Sequence, residues 1–216
     1  MNIAIILAAG TSSRYSKKKP KQFDGSFNKK MLIEHSIETF IKHSKIDKVI
    51  LAVPGLYFKK IKDKIKNCTV IKGGKTRQES SFLGLMACPK NTTNVLIHDE
   101  ARPFVSAKII ENCINNLNDK NIAVCPALPC TDTIAEVKNN KDINKTLDRN
   151  ILYKLQTPQA FNYKILLNCH EKLNEQVTDD ISIIKKQGYD CKIIKGDIKN
   201  MKITYKEDFE ILKSLI

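Results

Sequence analysis

The sequence predicts an α/β fold, a doubly wound and mostly parallel sheet with helices on both faces. Three observations carry that prediction. Short apolar runs that read as buried strands alternate with amphipathic stretches at helical spacing along nearly the whole chain. The 216 residues suffice for one sizeable core, so residues 1–216 are expected to form a single domain. Neither an internal repeat nor a low-complexity linker divides them, and only the segment 130–153, polar and without a strong period, is a candidate excursion from the core.

Each element follows from its own pattern. "NIAIILA" (2–8) reads as a buried strand, not a leader, because no basic region precedes it and it runs straight into Gly10 and hydroxyl residues. In 30–44, Leu32, His35, Ile37, Phe40 and Ile41 fall near helical spacing. "KVILAVP" (48–54) is a second strand, ended by Pro54, and 56–67 is a basic amphipathic helix. "CTVIKGG" is a third strand breaking at paired glycines, "TRQESSFLGLMAC" a helix and "NVLIHDEARP" a fourth strand. A helix over 107–117 and a strand over 121–129 follow. Beyond the 130–153 segment the pattern predicts helices at 163–174 and 179–187, strands near 190–195 and 200–204, and a last helix over 206–215.

Composition narrows the function classes. An apolar content of 42% and a charged content of 28% are ordinary for a soluble globular protein, and no apolar run reaches the roughly 18 residues of a membrane span. Seven scattered cysteines without a C-x-x-C pair argue against a disulfide framework and a zinc site, and fit a reducing cytoplasm. The net charge of +14 raises nucleic acid as a partner, but the lysines are spread along the chain without aromatic interleaving, so no nucleic-acid partner is expected. Only four of the 37 basic residues are arginines (Arg14, Arg77, Arg102, Arg149). Their rigid forks suit phosphate and carboxylate in a way lysine cannot reproduce.

In such sheets ligands bind beyond the carboxyl ends of the strands. There the chain carries "AAGTSSR", "KGGKTR", "HDEARP" and "PCTDT". The small residues of the first would let backbone amides approach phosphate oxygens, although a merely compact turn fits the same residues. It matches neither G-x-x-x-x-G-K-[ST] nor G-x-G-x-x-G. Arg14 and Lys21 bracket this loop, and cations on two sides suit a polyphosphate. Asp99, at a strand's carboxyl end, is placed to hold Mg²⁺ on phosphates. Glu100 reads as a solvated acid or, second, as another metal contact, and His98 as a packing or hydrogen-bonding residue. Gly73, Gly74, Arg77 and Ser80 read either as a wall of a nucleotide pocket or as a turn with a helix cap.

The ordered set LAAG-x-x-x-R with PKQ, GG-x-x-R-x-x-S, HD-x-ARP, DT, DRN, TPQ-x-F, TDD and N-x-KIT resembles the 2-C-methyl-D-erythritol 4-phosphate cytidylyltransferase family of the non-mevalonate isoprenoid pathway. The resemblance runs from Ile6 to about Asp208. It implies a Rossmann-like nucleotidyltransferase fold, a homodimer, Mg²⁺, and transfer of CMP from CTP to methylerythritol phosphate with release of pyrophosphate. Ala8, Ala9, Gly10, Ser12, Gly74, Ser80 and Arg102 would then bind the nucleotide, and Asp99 the metal. Arg14, Lys21 and Arg149 would be catalytic. Thr133, Arg149, Thr157, Thr178 and Lys202 would surround the acceptor, some of them across the dimer, with 130–153 as the exchanged dimerisation arm.

Two positions depart from the family's pattern: Glu100 stands where alanine is common, and Ser12 where glycine is. The nearest competing reading is a ribitol 5-phosphate cytidylyltransferase, whose relatives tend to carry LAGG where this chain has LAAG. A non-catalytic nucleotide or nucleic-acid binder is the alternative of another class.

Overall fold

The apolar runs assemble into one sheet. A computed structural model of the chain describes residues 1–12, 14, 15, 20–25, 29–139 and 141–214. Lys17, Lys18 and Lys19 of the first loop lie outside those residues, as does residue 215 of the expected last helix. The strands are β1 (Asn2–Leu7), β2 (Lys48–Val53), β3 (Thr69–Lys72), β4 (Asn94–Asp99), β5 (Ala123–Pro129), β6 (Ile134–Lys138), β7 (Asp142–Leu147), β8 (Tyr153–Leu155), β9 (Gln159–Asn162) and β10 (Lys192–Lys195). The helices are α1 (Leu32–Lys42), α2 (Phe58–Lys64), α3 (Arg77–Met86), α4 (Ala107–Asn116), α5 (Tyr163–Lys172), α6 (Asp180–Lys186) and α7 (Lys206–Ser214).

The main sheet runs β10-β5-β9-β4-β1-β2-β3, with β8 added against β5. β1 pairs in parallel with β2 on one side and with β4 on the other. The strand order therefore reverses at β1, and the crevice beyond the ends of β1 and β4 is where such sheets take ligands. Alternation along β1 explains why the run is apolar throughout. Ile3, Ile5 and Leu7 join Leu85, Phe161, Leu166 and Ile184 in one core, while Ala4, Ile6 and Ala8 join Ile33, Phe40, Ile61 and Ile110 in the other. Among the described residues no helix is long and apolar enough to cross a membrane.

Local signals place the helices. Thr76 caps α3 by accepting the Glu79 amide at 3.0 Å, and Asp179 caps α6 through the Ser182 amide at 3.0 Å. In the last turn of α3, a Cβ on Gly84 would stand 2.4 Å from Ile5 Cγ2, so glycine lets the helix lie on β1.

The structure departs from the expected elements in three places. Residues 159–162, within the TPQ-x-F motif, form β9, which runs antiparallel between β4 and β5 and closes the middle of the sheet. Residues 200–204 form no strand; they are a loop tied to the sheet by the Ile203 amide on Ala101 O at 2.8 Å. The segment 130–153 is not irregular but carries a β6–β7 hairpin, bulged between Glu136 and Val137. Its residues are mostly exposed on both faces, so no alternation marked it.

A buried polar latch joins β4 to β9 and to the 200–204 loop. His98 has no exposed surface; its Nε2 donates to Arg102 O at 3.0 Å and its Nδ1 accepts the Thr157 hydroxyl at 3.1 Å. Thr157 Oγ1 also accepts the Asp99 amide at 3.1 Å. Arg102 donates to Asn200 O at 2.6 Å and Leu155 O at 3.2 Å, and Asn200 Nδ2 to Thr157 O at 2.8 Å.

Two predictions follow from this packing. Gly84→Ala should cost about 1–3 kcal/mol through overpacking, read as a lowered urea midpoint with an unchanged slope. Burial pushes the His98 pKa down from 6.5 to about 4, so between those values the unfolded chain binds a proton the folded one refuses. Stability should thus fall as pH drops from about 6.5 toward 4, by up to ~3 kcal/mol from this group. Urea unfolding at stepped pH should show that slope, and His98→Gln should flatten it.

Candidate active site

Three strand ends and one returning loop enclose a cleft of about 400 Å³. β1 delivers Ala9, Gly10 and Ser12, β3 delivers Gly74, and β4 ends on Asp99, which lies in register with Leu7. The loop after Asn200 brings back Lys202 and Thr204.

The first loop is shaped by Gln22, which has no exposed surface. Its Nε2 donates to Ala8 O at 2.9 Å and Gly10 O at 2.8 Å, and its Oε1 accepts the Ser12 hydroxyl at 2.7 Å. One side chain thereby binds two loop carbonyls. Ser12 holds φ 55, left-handed backbone that favours glycine, so its hydroxyl bond to Gln22 helps hold a conformation costing about 1–2 kcal/mol. The second loop packs on the first: a Cβ on Gly73 would lie 2.4 Å from Ala9 Cβ. Ser80 Oγ accepts the Gly74 amide at 3.0 Å and donates to Thr76 O at 2.9 Å. The helix cap is Thr76, and Ser80 instead sets the glycine turn at the cleft wall.

Charge is concentrated here. Arg14, Lys21, Lys75, Arg77 and Lys202 line the cleft against two acids, Asp99 and Glu100. Asp99 Oδ1 accepts Arg77 Nε at 3.0 Å and Oδ2 accepts Lys202 Nζ at 2.7 Å. Burial alone would raise the Asp99 pKa, but Arg77 and then Lys202 overcome it and hold the carboxyl well below the usual range. Lys21 Nζ donates to Ile203 O at 2.8 Å and stands 3.9 Å from Glu100 Oε1. Burial lowers the Lys21 pKa, with Glu100 opposing, and raises that of Glu100, with Lys21 opposing. Desolvation outweighs attraction in both partners, so this is a weak pair.

Glu100 is therefore not the solvated acid expected from the sequence. It is 7% exposed: its amide extends the β4–β1 ladder to Leu7 O, and its carboxylate lies beside Lys21. Among the described residues no cluster of three or more His, Cys, Asp or Glu could hold a metal alone. Asp99, one carboxylate lining the cleft with both oxygens now paired to Arg77 and Lys202, is nevertheless of the kind Mg²⁺ takes, since that ion commonly uses one or two carboxylates and completes its shell with water and substrate phosphates.

Of the expected site residues, Ala9, Gly10, Ser12, Arg14, Lys21, Gly74, Ser80, Asp99 and Lys202 meet in this cleft. Ala8 lies just beneath it, its amide spent on Ala52 O. Arg102 and Thr157 are buried in the latch behind Asp99 and present their polar groups to it rather than to the cleft. Thr133, Arg149 and Thr178 are exposed and line no part of it; Arg149 Nη1 donates to Thr131 O at 3.1 Å. Thr76 and Thr204 carry no individual signal in the sequence, since a lone hydroxyl there reads as a turn residue, and Gln22 stands in the PKQ motif without a role implied for it.

A family model described as 2-C-methyl-D-erythritol 4-phosphate cytidylyltransferase matches residues 2–216. A protein of that name from Thermosipho melanesiensis is 41% identical over 222 residues, covering 98% of this chain and 96% of its own. Another, from Clostridium botulinum strain Langeland, is 39% identical over 224 residues, covering 96% and 93%. The crystal structure of 4-diphosphocytidyl-2C-methyl-D-erythritol synthase from Anaerococcus prevotii matches with a TM-score of 0.84 at 30% identity, over 99% of this chain and 95% of that one. The chain thus belongs to the 2-C-methyl-D-erythritol 4-phosphate cytidylyltransferase family and is a nucleotidyltransferase.

Proposed function

We propose that this cleft transfers the CMP of CTP to the phosphate of 2-C-methyl-D-erythritol 4-phosphate and releases pyrophosphate. The observation that carries the reading is the group of five cations that, among the described residues, lines the cleft at the reversal point of the sheet against only two acids, with Asp99 clamped by two of them. A triphosphate needs such a group, and a neutral substrate would not.

The acceptor phosphate is ionised at neutral pH, so the attack needs no general base, and among the described residues the cleft offers no nucleophile–base pair. Its residues act by alignment and by opposing charge that develops at the α-phosphorus. Arg14 and Lys21 approach from the first loop and Lys202 from the returning one. Because Lys21 is held by a backbone carbonyl and only weakly by Glu100, its ammonium is positioned before substrate arrives. Asp99 would hold Mg²⁺, which when bound neutralises phosphate charge. Gly10, Ser12, Gly74 and Ser80 would receive the nucleotide, with Ala8 and Ala9 supporting the loop and Arg102 and Thr157 bracing Asp99 from behind.

The acceptor half would be completed by a second copy. Thr133 and Arg149 stand at the base of the β6–β7 hairpin, which exposes Val137 (50%) and Ile143 (71%), with Ile151 (75%) beside it. Apolar side chains so exposed favour burial in a partner, so the hairpin is read as the arm of a homodimer that carries Arg149 toward the neighbouring cleft, with Thr178 on the acceptor's side. Seven free cysteines support a cytoplasmic setting.

Pyrophosphate release with CTP and Mg²⁺ should be seen with methylerythritol phosphate and not with ribitol 5-phosphate; turnover with ribitol phosphate alone, or with neither, would overturn the assigned acceptor. Arg14→Met and Lys21→Met should each lower kcat by roughly 10²–10³. Arg149→Met should instead raise KM for the acceptor by about tenfold or more while leaving that for CTP unchanged, as loss of a charge-assisted contact predicts.

A further inference from the structure

Asp180, the first residue of α6, has no exposed surface and does not line the cleft, yet it is joined to the cleft by one side chain. Its Oδ1 accepts Ser81 Oγ at 2.6 Å and His170 Nε2 at 3.0 Å. Its Oδ2 accepts Arg77 Nη1 at 2.6 Å, while Arg77 Nε reaches Asp99 at 3.0 Å. The guanidinium is thus divided between two carboxylates 81 positions apart in the sequence, and its Nη2 is buried with no hydrogen-bond partner.

That orphaned donor is informative. An arginine serving one carboxylate would turn two donors onto it in the favourable bidentate fork. Here Asp99 receives a single bond from Nε, and Asp180 takes the other side of the guanidinium through Nη1, so the two carboxylates share its charge. Burial works against the ionised form of Asp180, but Arg77 and then His170 hold its pKa at about 2, so the carboxylate is charged at neutral pH. Ser81 and His170 leave it no freedom to swing.

We propose that Asp180 is a positioning residue for cytidylyl transfer: acting through Arg77, it fixes the orientation of Asp99 and keeps enough negative charge there for a divalent cation. The proposal rests on the transfer reading above. Outer partners of this kind typically affect metal affinity or activity by 10–100-fold.

The full chain is assayed first without substitution, because its silence with CTP and methylerythritol phosphate would overturn the functional reading itself. Given an active parent, Asp180→Asn should lower kcat roughly 10–100-fold and weaken Mn²⁺ binding to the enzyme–CTP complex, read by electron paramagnetic resonance, by a similar factor. In an Arg77→Met background the same substitution should add less than about threefold, since both act through one group. Parental kcat and Mn²⁺ affinity in Asp180→Asn, or losses that multiply in the double variant, would overturn the proposal. Should Asp180→Asn fail to fold, Ser81→Ala carries the test, because it removes one hydrogen bond from Asp180 and none from Asp99. A several-fold fall in kcat at an unchanged melting temperature supports the positioning role, and a parental kcat overturns it.

Discussion

Asp99 ends the strand that neighbours β1 at the reversal of the sheet, and its carboxylate, nearly sealed from water, draws the surrounding architecture toward it. A charge in that setting is tolerable only when cations and hydrogen bonds replace its water. The replacements come from distant parts of the chain: Arg77, 22 residues before it, and Lys202, 103 residues after it. Behind it, Thr157 takes its amide and His98 takes the Thr157 hydroxyl. The start of helix α3, the turn before β9 and the 200–204 loop all bring a group to that carboxylate or to its amide.

Much of this was legible in the sequence because strand burial and strand-end chemistry are local signals. "NIAIIL", "KVILAV" and "NVLIHD" are apolar because both faces are covered, and the loops after them hold the small and charged residues of the cleft. What stayed illegible depended on long-range pairing. Nothing within "QAFN" announces an antiparallel strand; it becomes one because β4 and β5 leave a gap between them. The resemblance implies Lys202 at the acceptor, but the bond from its ammonium to Asp99 is a contact that only the return of the chain creates. Asp180 reads as the second acid of a helix cap until Arg77 is seen to reach it.

Glu100 shows the same limit for electrostatics. In the sequence an acid after a strand end reads as solvated, but here the β4–β1 pairing runs on through its amide and its carboxylate is buried beside Lys21. Burial then dominates both partners, and the pair contributes less than its proximity suggests. The resting cleft thus carries a cation whose attraction for phosphate is only lightly offset.

The 200–204 loop also orders the events of synthesis. Ile203 anchors Lys21 and pairs with Ala101, Asn200 receives Arg102, and Lys202 completes the grip on Asp99. A nascent chain emerges N-terminus first, at about 5–20 residues per second. Of the first loop, the glycine turn and Asp99, the last to be made is Asp99, which precedes the loop that joins them by roughly 100 residues, or on the order of ten seconds. Until then Asp99 has lost one of its two cations and Lys21 its anchor. The growing chain can lay down the parallel strands β1 to β4, but it cannot complete the nucleotide cleft before residues 200–204 are made.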